Sequence, residues 1–418
     1  MLKLLITQTA ILWYCSLLFI FNPSITIASV IEVNPGTETL KLALAAANPN
    51  DTLQLQNGVY SGPVVIKTRI NLIGQVNTVI DGGNKGRVIT IDAADVVIRN
   101  IQIQHSGIDL SEEDSGIFIT AEGDRALIEN NHLKKNLIGI YLKGPDDVKV
   151  INNTINGRND LRMNERGNGI HLWNSPGSII ENNNVQYGRD GIFVTTSTNN
   201  KFINNQFRDL RFAIHYMYTH HSEVSGNTST DNHVGYALMY SNYLNVSGNT
   251  SKGDRDRGIL FNFTNYSDIK DNSVHGHPEK CVFIYNSNFN DIHKNHFEGC
   301  NIGVHFTAGS EQNQIWNNDF INNKTQVKYV GTRFLEWSKE GKGNYWSDHT
   351  AFDLDGDNIA DKPYRPNNLA DQILWRHPMS KILLNSPILQ VLRWSQSQFP
   401  GLHPGGVTDS TPKMEPFL

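Results

Sequence analysis

Short runs of alternating apolar and polar residues recur along the chain, and an apolar-x-x-Asn pattern sets their phase. The asparagine falls at Asn131, Asn153, Asn183, Asn205, Asn227, Asn249, Asn272, Asn295 and Asn318, with successive differences of 22, 30, 22, 22, 22, 23, 23 and 23. The one long interval holds a polar insertion from Arg158 to Arg166, a loop thrown off one coil that leaves the register intact on either side. A second column is a glycine followed by alternating apolar residues, as in Gly116-Ile117-Phe118-Ile119, Gly139-Ile140-Tyr141-Leu142 and Gly191-Ile192-Phe193-Val194. Each repeat therefore carries at least two short strands with turns between them.

A repeat of this length built from strands predicts a parallel β-helix, in which each coil hydrogen-bonds to the next about 4.8 Å away. The Leu-x-x-Leu-x-Leu frame of a leucine-rich repeat is absent. Asparagine suits the turns because it tolerates the left-handed conformation and can bond its equivalent one coil along. Irregular earlier coils begin near Ile31, and Leu40 to Ala47 reads as a helix that caps the open N-terminal end. About a dozen coils should run from there to near Val330.

The ends differ from the repeat. Residues 1–28 read as a secretory signal, with Lys3, an apolar run from Leu4 to Phe21 and a cleavage site after Ala28; the alternative is an uncleaved anchor. The β-helix is expected over 29–335, followed by an Asp-rich loop region at 336–371 and an amphipathic tail at 372–418. In that tail Ser386 and Pro387 predict a helix start, with Ile388, Leu389, Val391 and Leu392 on one side and Gln390, Arg393 and Gln396 on the other. The apolar side should either dock on a membrane partner or plug the end of the β-helix.

Strand side chains alternate, so if the first residue after each glycine points inward, the second and fourth point out. The second positions are Phe118, Tyr141, His171, Phe193, His215, Ala237, Leu260, Phe283 and His305. The fourth include Lys143, Trp173, Met217, Met239 and Tyr285. A face rich in rings, His and Met reads as a partner-binding surface, with Trp173, Phe193, Tyr218, Tyr240, Tyr285 and His305 as candidates and a covering lid as the alternative. Within it His215, Met217 and Met239 offer an imidazole and two thioethers, a set that suits Cu(I) far better than Mg²⁺ or Ca²⁺. His171, His220 and His221 are further candidate ligands, and packing is the competing role for all six.

The segment Asp353-Leu354-Asp355-Gly356-Asp357-Asn358-Ile359-Ala360-Asp361 sets alternate aspartates around a glycine. Asp353, Asp355, Asp357 and Asp361 are candidate calcium ligands in a structural loop, the alternative being a plain Asp-rich turn. Charge narrows the functions further. With 36 Lys and Arg against 41 Asp and Glu, the net charge is −5, and no basic footprint for nucleic acid exists. Three cysteines cannot frame a chain of 418 residues, and Cys281 and Cys300 fall in different columns, so pairing them requires the turn at Cys300 to fold back. Nucleophile elbows, phosphate loops and His-Glu-x-x-His pairs are missing. Asp190 is a lone carboxylate with Asn168 and Phe212 beside it, which weakens the alternative of an enzyme acting on an acidic polysaccharide through paired carboxylates.

The strands His215-Tyr216-Met217-Tyr218 and Ala237-Leu238-Met239-Tyr240-Ser241 resemble those of the NosD family, the periplasmic maturation proteins of nitrous oxide reductase. So do Gly343-Asn344-Tyr345-Trp346-Ser347-Asp348, Lys362-Pro363-Tyr364-Arg365-Pro366 and the run from Ser386 to Trp394. The resemblance implies a right-handed β-helix without catalytic activity, working in the periplasm and held at the inner membrane by partner subunits. Those partners would be an ABC-type ATPase, a membrane permease, a copper chaperone and nitrous oxide reductase itself. Asn358 and Ala360 depart from the pattern, where glycines are expected, and put the cation loop in question.

Overall fold

The computed structural model describes residues 28–383, 386–399 and 405–417, so the secretory signal at 1–28 lies outside it except for Ala28. The chain winds as a parallel β-solenoid of three sheets. Sheet 1 stacks thirteen strands from Val30–Val33 to Gln314–Trp316, sheet 2 thirteen from Gly58–Ser61 to Tyr345–Trp346, and sheet 3 twelve from Val64–Ile66 to Thr325–Tyr329. Each coil supplies one strand to each sheet in turn, and partners lie one repeat apart, as in Ile192 beside Ile214.

The register places equivalent apolar side chains on top of one another inside the coil. Ile140, Ile170, Ile192, Ile214 and Tyr236, each the first residue after the glycine column or its counterpart, are all 0% exposed. Alternation then forces the second and fourth positions outward. Inward side chains form one continuous hydrophobic core along the solenoid. The insertion at 158–166 lies between Thr154–Asn156 and Ile170–Trp173 without disturbing the pairing on either side.

The asparagine column is a buried ladder. The backbone N–H and Nδ2 of Asn205 both donate to Oδ1 of Asn227, at 2.9 and 3.0 Å, and Nδ2 also donates to the Ile180 carbonyl. Every amide in such a stack is used, which is why a polar column survives burial. The left-handed residue of the turn is not the ladder asparagine but the one before it: Asn130, Asn152, Asn182, Asn204 and Gly226 have φ between 53° and 64°. The ladder side chain must reach inward between coils, so the preceding residue makes the bend.

Both ends are closed. Helix α1 (Thr39–Ala46) seats Leu40 on the first coils, as the sequence predicts. At the other end Trp337, Trp346 and Tyr364 join the core, with Trp346 stacked between Phe320 and Tyr364 at centroid distances of 4.3 and 4.5 Å. The ladder continues past Asn318 to Asn344 and ends on Asp409, whose Oδ2 accepts from the Asn344 backbone N–H at 2.7 Å and from Trp346 Nε1 at 2.8 Å. Burial pushes the Asp409 carboxyl up, to about 6, against these donors. Cys281 and Cys300, left unassigned by their spacing, form a disulfide with Cα atoms 5.7 Å apart, because the turn before Ile302 brings Cys300 back to the preceding coil.

Helices α2 (Leu369–Arg376) and α3 (Pro387–Gln398) pack together beyond the solenoid. Helix α3 starts where expected but turns a different side inward. Leu389 and Gln396 are buried, and Gln396 accepts from the Leu369 N–H. Ile388, Val391 and Trp394 are 60 to 67% exposed. The chain needs an acceptor for the first amide of α2, and a buried glutamine supplies it. Trp337, Trp346 and Tyr364 thus close the core at this end, and α3 exposes Ile388, Val391 and Trp394 on its outer side.

Candidate functional site

The outer face of sheet 3 carries the candidate residues, and its second-position column is a stack of rings. Phe118 meets Tyr141 edge-on at 5.4 Å, Tyr141 lies flat on His171 at 4.2 Å, and His171 and His215 each contact Phe193 at 4.9 Å. Coils rise by nearly the thickness needed for ring-on-ring contact, so a repeated aromatic at one position stacks on itself. Phe118 and Tyr141 are 3 and 5% exposed, covered by this stacking and by Arg87, whose guanidinium sits 3.5 Å from the Phe118 centroid.

His215 ends this upper stack and is held from behind. Its Nδ1 lies 3.0 Å from Oδ2 of Asp190, a carboxylate only 1% exposed. Arg211 grips the same carboxylate with two bonds, Nε to Oδ1 at 2.8 Å and a terminal nitrogen to Oδ2 at 2.6 Å, while its guanidinium lies 4.5 Å from the centroid of the Phe212 ring. Burial pushes the Asp190 carboxyl up, but the hydrogen bonds from His215 and Arg211 and the charge of Arg211 outweigh it and hold it below the usual carboxylate range. An ionised carboxylate has no proton to give, so the hydrogen of that bond sits on His215 Nδ1. In the neutral ring the Nε2 lone pair is then left for a ligand, the arrangement by which carboxylates orient metal-binding imidazoles.

Across the strand boundary His215 faces Ala237, whose methyl cannot continue the ring stack. The column is broken there, and Met239 packs with Val234, Ala237, Leu260, Phe212 and Phe283 around the gap. Met217 follows His215 on the same face of its strand and is partly exposed, as Met239 is one coil on; the pairing between these strands ends at His215 and Ala237, before the two methionines. An imidazole and two thioethers thus lie on one outer face, on strands of two successive coils. Such a donor set fits a soft monovalent ion and offers nothing to a hard one.

The other histidines stand further away. His171 is two coils from His215 with the Phe193 ring between them, and burial lowers its pKa to about 4, which keeps the imidazole neutral. His220 lies in the turn after Met217, where its Nδ1 accepts from the Asn242 N–H at 3.1 Å. His221 stacks on Tyr243 at 4.8 Å.

That turn joins the candidates Tyr218, Tyr240 and His221 to four rings the sequence did not single out, Phe263, Tyr243, Tyr266 and Phe289. Tyr218, Tyr240 and Phe263 form one ladder, and His221, Tyr243, Tyr266 and Phe289 a second. All seven residues have φ between 50° and 58°, a conformation that bulky side chains rarely adopt. Equivalent turns in neighbouring coils use Asn174, Thr196, Asn199, Asn286 and Gln312. Tyr218 is 51% exposed, and Tyr218 and Tyr240 directly follow Met217 and Met239 in the chain. Trp173 and Tyr285 are exposed on the same face, while His305 stacks on Phe283 at 4.7 Å.

In the aspartate loop, carboxylate oxygens of Asp353, Asp355 and Asp357 lie within 4.8 Å of one another. Asp353 already accepts the Gly356 and Asn358 N–H groups, and Asp361 accepts that of Leu354. Asn358 takes φ 66°, so it supplies the left-handed turn for which a glycine was expected. Asp190, the lone carboxylate of the enzyme alternative, pairs across the strand with Phe212 and is fully engaged by Arg211 and His215.

Comparison with known proteins gives this arrangement a family. The description "NosD: Periplasmic copper-binding protein" matches residues 50–166 and 151–351. A protein of Stutzerimonas stutzeri named "Probable ABC transporter binding protein NosD" is 39% identical over 376 residues, covering 87% of this chain and 86% of its own. One of the same name from Pseudomonas aeruginosa is 38% identical over 398 residues, covering 90 and 93%. Among solved structures, the surface adhesin PfbA of Streptococcus pneumoniae superposes with a TM-score of 0.55 at 10% identity, covering 74% of this chain and 88% of its own. A family 28 exopolygalacturonase of Yersinia enterocolitica gives 0.54, also at 10%, covering 72 and 77%. These two share the fold. Among the described residues no helix is long and apolar enough to cross a membrane. With matches along nearly its whole length, the chain belongs to the NosD family of periplasmic copper-binding proteins.

Proposed function

We propose that this protein takes up Cu(I) as cargo on the outer face of sheet 3 and serves as a non-enzymatic scaffold for assembly of the copper centre of nitrous oxide reductase. The ligands are His215 Nε2 and the thioethers of Met217 and Met239. The observation that carries this reading is the Asp190–His215 bond at 3.0 Å, which fixes an imidazole on the outer face that also bears the two methionines. Three ligands without a thiolate give a site that can release its ion, as transfer demands. The names of the relatives support work beside an ABC-type ATPase and permease, which would hold this protein at the periplasmic side of the inner membrane. A copper chaperone would deliver the ion across the Tyr218 and Tyr240 strip.

Affinity purification of the full chain from copper-replete membranes, with metal analysis of what co-elutes, tests this role. Recovery of the ATPase, the permease or a copper protein is expected. A chain that elutes alone and depolymerises an acidic polysaccharide would replace the scaffold reading with an enzymatic one.

A further inference from the structure

Two coils beyond His215 the outer face of sheet 3 turns cationic, in a chain whose net charge is −5. Arg257 and Lys280 are cross-strand partners, and Lys328 is the partner of His305. Arg257 and Lys280 lie 5.1 and 5.8 Å from the Phe283 centroid, and their side chains are only 26 and 15% exposed. Asp256 answers both cations, 3.1 Å from Arg257 and 3.9 Å from Lys280. His305 adds no charge of its own, because burial and the fields of Lys328, Lys280 and Arg257 lower its pKa to about 4.

Like charges set opposite each other on a sheet repel and destabilise it. Packing does not demand them here, since the same column holds Val234 one coil before Arg257 and Ile302 one coil after Lys280. A cationic pair withdrawn from water, answered by one carboxylate and flanked by a third cation, is an arrangement that an incoming anion completes.

We propose that this patch binds the carboxylates of an acidic, extended segment of a protein partner. From the Arg257 strand to the Lys328 strand is three coil steps, about 14 Å, and an extended chain advances about 3.4 Å per residue. Lys328 also lies three residues along the strand from the Arg257 column, about 10 Å, so the ends of the patch are about 18 Å apart and carboxylates about five residues apart reach both. A polysaccharide fits less well. Sugar rings rest on open aromatic faces, and Phe283 has Arg257 beside it and His305 stacked on it. The inference is independent of copper and places a second contact on the same face as the soft-donor site.

Fluorescence anisotropy of a labelled octapeptide alternating Glu and Thr, titrated with the full chain, tests it. Binding at low ionic strength should weaken as salt is added. It should fall about tenfold in Lys280→Gln with Lys328→Gln, a change worth about 1.4 kcal/mol, at unchanged circular dichroism. Lys280→Arg with Lys328→Arg should restore it, and Lys201→Gln on sheet 1 should leave it intact. Absence of binding, or equal binding by the Gln variant, overturns the proposal. Displacement of the peptide by trigalacturonate overturns the choice of a protein segment.

Discussion

A buried carboxylate that touches both an arginine and a histidine can serve the fold or the site, and at Asp190 the two roles separate by substitution. Asparagine is nearly the same shape, yet its amide can donate to His215 Nδ1, which would move the ring hydrogen to Nε2 and block the ligand atom. Asp190→Asn should therefore lower Cu(I) affinity by about ten- to a hundredfold. Nitrogen NMR of His215 should show the exchanged tautomer in the same variant. An unchanged tautomer together with unchanged affinity would return Asp190 to a packing role. This interaction was hard to read from the chain. His215 and the methionines stood out because alternation put soft donors on one face. Asp190 looked like an unpaired acid, since the contact joins different columns of adjacent coils and Arg211 lies in the turn outside the strand pattern.

The elements show which repeats a sequence displays and which it conceals. The coil period was legible because every inward position faces the same neighbours, so the same residue types recur. The asparagine ladder was legible for the same reason, whereas its left-handed neighbour varies among Asn, Gly, Asp and Lys and left no signature. The C-terminal closure was concealed by distance: Asp409 meets Asn344 across 65 residues of sequence. That contact changes how the tail should be tested. Removing everything after Ser386 would also remove Asp409 and leave buried donors of Asn344 and Trp346 unsatisfied, so loss of stability would say nothing about α3. Asp409→Ala should lower stability by about 2 to 4 kcal/mol through those donors alone. Replacing Ile388 and Val391 by serine should leave thermal unfolding unchanged and reduce recovery with membrane subunits. Thermal melts and co-purification of the two variants read the outcomes separately, and a lower melting temperature for the serine variant would make α3 part of the plug.

At the scale of the whole molecule, a rigid solenoid fixes the spacing of everything mounted on sheet 3. Stacked rings lead to His215, the methionines sit at the break made by Ala237, aromatic strips line the adjoining turn, and the cationic patch follows two coils on. Such a row lets partners meet the protein at defined distances without any element of the core moving. The central claim is that the break in the ring column is a Cu(I) site, and an anaerobic Cu(I) competition titration tests it most directly. The wild-type chain should withdraw about one equivalent from a chromogenic chelator. Met217→Leu with Met239→Leu, which keeps the volume and removes both sulfurs, should lose that affinity at unchanged circular dichroism. Equal withdrawal by the variant and the wild type would contradict the site and leave the two methionines as packing residues.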